Sequence, residues 1–214
     1  LSLHDALPIS IWLRKKFYSL IDREKKHAKE GKKAQIIAKM NSLCDEKMIE
    51  KLYEASEEGV KIHLIVRGIC SLIPGREKLS ENITVSSIVG EFLEHSRIYY
   101  FYNDGKEEIY MGSADWMPRN LDRRVELIFP IHDENAKKKA MHILNVSLSD
   151  NMKAYYKQPD NTYARMDKRG LKKKCDAQKT FATEAAESIK QQKAKVKENN
   201  GRFVPVLPQT HEKL

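Results

Sequence analysis

Apolar positions recur at helical spacing in the first part of the chain and then alternate between strand and helix periods. Leu13, Phe17, Leu20, Ile21 and Ala28 share one face of residues 11–29, and arginine and lysine occupy the other, so the pattern predicts an amphipathic helix that stops at Gly31. Residues 34–40 (AQIIAKM) read as a strand. Residues 45–58 read as a second helix with Met48, Ile49, Leu52, Tyr53 and Ala55 in one stripe, Ser42 or Asp45 as the cap and Gly59 as the stop. Residues 61–66 read as a strand with Ile62, Leu64 and Val66 on one face. Strand, helix, strand over residues 34–66 is a βαβ unit, which implies a parallel pair covered by a helix.

A loop carrying Pro74-Gly75 comes next, then a strand over residues 83–89. Residues 97–102 and 108–112 alternate around Asn103-Asp104-Gly105, a hairpin signal. Residues 124–131 read as another strand and 133–145 as a helix with Ala136, Ala140, Ile143 and Leu144 inward. After Asp150 the chain turns polar. Residues 167–198 have helical propensity but a sparse apolar stripe, Leu171, Cys175, Ala182, Ala185 and Ile189, and the stretch from Asn199 reads as a disordered tail. Residues 1–10 (LSLHDALPIS) do not match the rest of the chain and resemble translated sequencing-adapter sequence, so they are set aside as an assembly scar and His4 and Asp5 are given no role.

The 214 residues are 41% apolar and 32% charged, enough for one core with an appendage. No apolar run reaches the roughly 18 residues of a membrane span. Cys44, Cys70 and Cys175 are far apart and odd in number, which excludes a disulfide scaffold and suits a cytoplasmic setting. The net charge of +9 is uneven: residues 31–150 carry −2 and residues 165–214 carry +7. A basic flank fits nucleic acid, an anionic membrane or another polyanion, and equally a solvated lysine-rich helix.

Three places gather chemistry. Arg67 follows the strand 61–66, at the carboxyl end where ligands bind in open α/β sheets, and its guanidinium suits phosphate or a neighbouring carboxylate. His95 lies two residues before Arg97, on the same face of an extended chain; a structural histidine and a phosphate-binding pair both fit. Residues 112–120 (GSADWMPRN), followed by Asp122, Arg123, Arg124 and Glu126, bring small residues and three arginines after a strand, which fits an anion cradle or a salt-bridge lattice. His63, His132 and His142 have weaker context. The chain has no GxxxxGK[ST], GxSxG or HExxH string and no zinc-helix spacing, so no Walker-type nucleotide site and no protein-only metal site is expected.

The strings KMNSLCDEKMIEKLYEASEEGVKIHLIVRGICSLIPG, FLEHSRIYYF and SADWMPRNLDRRVE resemble the last catalytic domain of class 1 polyphosphate kinase, and the likeness extends through residues 154–156. The resemblance implies a phospholipase D-like α/β domain with a mixed sheet flanked by helices, over residues 31–164. The helix 11–30 would precede it, and a basic helical extension and tail, 165–214, would come after it. It implies reversible transfer of the ATP γ-phosphate to polyphosphate through a phosphohistidine in a preceding domain, with Mg²⁺ arriving on ATP. This chain would be a C-terminal fragment, inactive alone.

By that likeness His95 matches the second active-site histidine, and Arg67 and Arg124 match phosphate-contacting arginines. Arg97, Ser113, Asp115 and Arg119 are weaker candidates for the same phosphate site. ATP, ADP and polyphosphate are the expected partners. A homo-oligomer, a cytoplasmic location with the inner membrane face as a second one, and no nucleic acid complete the expectation. The phospholipase D pattern is altered: HxK reads His95-Ser96-Arg97, the next Asp position holds Tyr102, and GSxN reads Gly112-Ser113-Ala114-Asp115. These changes speak against a superfamily phosphodiesterase, one rival reading; the other is a polyanion- or nucleic-acid-binding module using the basic C-terminal helix.

Overall fold

The computed structural model describes residues 7, 8, 10–166 and 173–198. The chain divides into two compact units, Leu1–Ala177 and Gln178–Leu214. The first unit is one nine-stranded mixed sheet with helices on both faces. In chain order it comprises β1 (Leu7–Pro8), α1 (Ser10–Lys29), β2 (Gln35–Met40), α2 (Glu46–Glu57), β3 (Lys61–Val66), β4 (Ile83–Ile88), β5 (Ile98–Phe101), β6 (Glu108–Gly112), α3 (Pro118–Asp122), β7 (Leu127–Pro130), α4 (Glu134–Leu148), β8 (Ala154–Lys157) and β9 (Tyr163–Arg165). The last helix, α5 (Ala177–Glu198), belongs to the second unit from Gln178 onward.

The sheet order is β1-β7-β6-β5-β2-β3-β4-β8-β9. The three central strands, β2, β3 and β4, run parallel, and every pairing outside them is antiparallel. The central strands read as nearly unbroken apolar runs because both faces are covered. Ile36, Ala38 and Met40 of β2 pack with Leu13, Phe17, Leu20 and Ile21 of α1 and with Met48 and Leu52 of α2. Ile37 and Ile65 face the other way, toward Ala140 and Leu144 of α4.

Local chemistry fixes the ends of these elements. Asp45 caps α2 by accepting the Met48 N–H at 2.9 Å, and Asp133 caps α4 by accepting that of Ala136 at 2.8 Å. Glu24 of α1 is fully buried and accepts the backbone N–H of Asn103 at 2.7 Å and of Gln35 at 3.2 Å, which seats α1 on the hairpin. Burial pushes its carboxyl up, and those two donors offset only part of the rise.

The expected β2-α2-β3 unit, the hairpin and α4 are all present, and four features differ. The strand expected over residues 124–131 shrinks to Leu127–Pro130, because Arg124 donates its N–H to the Arg119 carbonyl and Glu126 turns inward to Ser113 and Asn120. Pro118 starts a short helix there, at the position where its missing N–H costs nothing. The polar stretch after Asp150 forms β8 and β9. Residues 173–177 stay with the first unit, past the expected boundary at 164: the Asp150 carboxylate collects the N–H groups of Met152, Lys153, Ala154 and Ala177. Leu7–Pro8, inside the segment set aside as a scar, pairs with Leu127 and Ile128. The expected disordered tail from Asn199 lies outside the described residues.

Candidate phosphate site at the sheet rim

Strand direction decides which loops meet. Parallel β2 and β3 end at Met40 and Val66 on one rim. β5 is antiparallel to β2 with Lys39 opposite Ile98, so it begins at that rim. β6 is antiparallel to β5 and ends there, and β7, with Ile128 opposite Gly112, begins there. Residues 41–45, 67–70, 94–97, 113–117 and 124–126 are therefore gathered at one edge, the carboxyl side of the parallel strands.

The centre of this rim is cross-tied. The Trp116 carbonyl accepts the N–H groups of Cys44 and Asp45, both at 3.0 Å, and Leu43 donates its N–H to the Ile69 carbonyl at 2.8 Å. Trp116 is fully buried, with its ring 5.2 Å from Tyr99 and 5.4 Å from Phe17. Such aromatic contacts contribute about 1 kcal/mol each beyond burial, so the loops rest on a stiff floor. The buried Tyr99 hydroxyl donates to the Ala114 carbonyl at 2.5 Å, and desolvation raises its pKa well above the ordinary range.

On that floor a chain of polar contacts links four of the expected residues, Arg67, Asp115, Arg97 and His95, through Asn41. Arg67 donates from Nε to Asn41 Oδ1 at 3.1 Å. Asn41 donates its backbone N–H to Asp115 Oδ1 at 2.8 Å. Arg97 donates to Asp115 through Nε at 3.0 Å and Nη2 at 3.1 Å, and through Nη1 to His95 Nδ1 at 3.0 Å and the His95 carbonyl at 2.9 Å. Arg97 and Asp115 are 9% and 5% exposed, and their charges are spent on each other and on His95. Arg97 and Asp115, the weaker candidates for the phosphate site, are thus turned inward and engaged with each other. Arg67, half-exposed, and His95, exposed, lie at the outer ends of the chain.

Arg119 in α3 and Arg124 on the segment between α3 and β7 stand exposed, and the Arg124 side chain makes no hydrogen bond or ion pair with the described residues. Ser113 is engaged inward: its hydroxyl donates to Glu126 and accepts the Leu127 N–H at 3.1 Å. Lys39 of β2 pairs with Glu94 at 2.6 Å, which pins the residue before His95. Asn41 was absent from the expected site. Its signal was available, since it follows β2 as Arg67 follows β3. Its side-chain Nδ2 is buried and has no partner among the described residues.

The arrangement presents Arg67, His95, Arg119 and Arg124 outward and turns the Asp115 and Glu126 carboxylates inward, a donor set suited to phosphate oxygens. Among the described residues no group of three or more His, Cys, Asp or Glu side chains could hold a metal ion.

Residues 8–178 match the family model described as polyphosphate kinase C-terminal domain 2. The polyphosphate kinase of Paraburkholderia phytofirmans is 52% identical over 166 residues, 77% of this chain and 24% of that protein. That of Synechocystis is 48% identical over 173 residues, 81% of this chain and 24% of that protein. The crystal structure of polyphosphate kinase from Porphyromonas gingivalis superimposes with a TM-score of 0.82 at 37% identity, covering 87% of this chain and 28% of that one. The chain thus spans about a quarter of the length of the curated relatives it matches.

Proposed function

The chain belongs to the polyphosphate kinase family through its C-terminal domain 2, and from that premise we propose that its rim forms half of a phosphoryl-transfer site acting between ATP and polyphosphate. The observation that carries the reading is the contact chain Arg67–Asn41–Asp115–Arg97–His95, which holds an arginine and a histidine at one rim while keeping the only carboxylate of that chain engaged inward.

Phosphoryl transfer asks little covalent chemistry of the protein and much positioning and charge neutralisation. Arg67 commits Nε to Asn41, which leaves both terminal nitrogens to grip a phosphate oxygen pair. Arg124 adds a second exposed cation from the α3–β7 segment. His95 donates a hydrogen bond from Nε2 toward a phosphate oxygen. The nucleophilic histidine, which takes the γ-phosphoryl as the bond to ADP breaks and passes it to the terminal oxygen of polyphosphate, is supplied from outside this chain. Mg²⁺, as part of the MgATP substrate, would supply charge neutralisation at the phosphate oxygens. A homo-oligomer and a cytoplasmic location, with the inner membrane face as a second one, belong to the same proposal; three free cysteines suit a reducing compartment.

Calorimetric titration of tripolyphosphate and of MgATP into the chain tests the reading. R67A and R124A are each expected to weaken binding at least tenfold. Equal binding by wild type and both variants overturns it, and so does binding that disappears on removing residues 178–214, which would place the anion on the basic extension. Cleavage of bis(4-nitrophenyl) phosphate would mark a phosphodiesterase instead. With γ-labelled ATP, no histidine of this chain is expected to become stably labelled.

A further inference from the structure

His95 and Arg97 lie two residues apart, yet only one of them faces the rim. We propose that Arg97 is a positioning residue that fixes His95 as its Nε2–H tautomer, with Asp115 holding Arg97 in place; the inference rests on the phosphate-site reading above and deepens it.

A guanidinium carries N–H donors and no acceptor. The 3.0 Å contact from Arg97 Nη1 to His95 Nδ1 therefore requires a bare lone pair on Nδ1. The single proton of the neutral ring is left on Nε2. Arg97 Nη2 also approaches Nε2, at 3.5 Å, the longer and weaker of the two ring contacts. The same Nη1 donates to the His95 main-chain carbonyl at 2.9 Å, so ring and backbone are gripped together. Arg97 itself cannot drift, because Nε and Nη2 both end on the buried Asp115 carboxylate. Asp115 is in turn fixed by the Asn41 N–H. From the other side, the Lys39–Glu94 pair restrains the loop that carries His95.

The chemical consequence is specific. A histidine with Nδ1 engaged and Nε2 protonated is a hydrogen-bond donor to phosphate oxygen and has no free lone pair with which to attack phosphorus. Arg97 does not serve as a phosphate ligand, although an HxR string invites that role. A lysine in its place has one nitrogen where the fork has three, and it cannot bridge Asp115, Nδ1 and the carbonyl together.

The test is long-range proton–nitrogen NMR on the full chain labelled with ¹⁵N-histidine, in the absence of ligand. In the wild type His95 should show Nδ1 as a bare, pyridine-type nitrogen and Nε2 as a protonated, pyrrole-type one. R97A and R97K should both move the two shifts toward an average of tautomers, while the His63 signals, set by the Thr84 hydroxyl 2.8 Å away, stay put and report an intact sheet. A protonated Nδ1 in the wild type overturns the inference, and this needs no variant to fold. An unchanged pattern in a folded R97A also overturns it. Binding of tripolyphosphate that is indifferent to R67A defeats the parent reading alone, because the tautomer is measured without ligand.

Discussion

Arg67 Nε donates to the Asn41 side-chain carbonyl at 3.1 Å, and among the described residues the buried Asn41 Nδ2 has no partner. A buried amide with an unused donor is costly, so the geometry keeps Asn41 for its acceptor. A neutral acceptor aims the guanidinium without cancelling its charge. Replacing it separates these effects. N41A should weaken tripolyphosphate binding about fivefold, the equivalent of one lost hydrogen bond of about 1 kcal/mol. N41D keeps an acceptor but adds a negative charge that competes with phosphate for Arg67, and it should weaken binding further. If Asn41 acts through Arg67, N41A made on R67A should add nothing, and a calorimetric double-mutant cycle reads that directly.

A second clamp holds the rim from beneath. Arg14 of α1 reaches Asp45 through Nη1 at 2.5 Å and Nη2 at 2.7 Å, and Asp122 through Nε at 3.0 Å and Nη2 at 2.6 Å. It thereby ties the cap of α2 to the end of α3. Burial would raise the Asp45 carboxyl, but Arg14 and the Met48 N–H outweigh it and hold the group below its ordinary value. A carboxyl depressed in the folded state adds stability above its unfolded pKa of about 3.9, and that increment fades as pH falls through the lower folded value. R14M leaves the Asp45 side chain, 4% exposed, without its counter-ion and should cost about 3 kcal/mol at pH 7. Urea unfolding of both proteins from pH 7 down to about pH 2 should show that gap narrowing below about pH 4. A constant gap would remove Asp45 from the account.

Much of this was legible in the residues. α1, α2 and the parallel strands announce themselves because each buries a stripe of its own period, and the Asn103-Asp104-Gly105 turn stands at positive φ throughout, as that tripeptide favours. β8 did not, because Ala154–Lys157 pairs with β4, a partner more than sixty residues earlier, and carries no stripe of its own. α3 has five residues, too few for any periodicity, and Pro118 was its only mark. At the site, Arg67 and His95 could be read from their places at strand ends. Which arginine would face solvent could not: Arg97 and Asp115 are turned inward by a contact eighteen residues apart in sequence, a property of the sheet order and not of the string.

Gly112 makes the last demand on that sheet order. A β-carbon there would lie 2.0 Å from the Leu127 carbonyl oxygen and 2.7 Å from Ile128 Cδ1, far inside contact distance and partly against backbone that cannot rotate away. Only glycine lets β6 and β7 close at the rim, where Ser113 donates its N–H to that same Leu127 carbonyl at 3.0 Å. G112A must push β7 outward and unhook Ser113 from Leu127 and Glu126, and with them the segment that carries Arg124. Overpacking of this kind should cost about 3 kcal/mol. Gly59 provides the contrast: its φ of 93° favours glycine but nothing lies within 4 Å of a β-carbon there, so G59A should cost only about 1 kcal/mol, through backbone strain. Denaturant titration ranks the two variants. Tripolyphosphate binding, measured well below both melting points, should fall in G112A and hold in G59A, and the opposite order would detach the β6–β7 closure from the phosphate site.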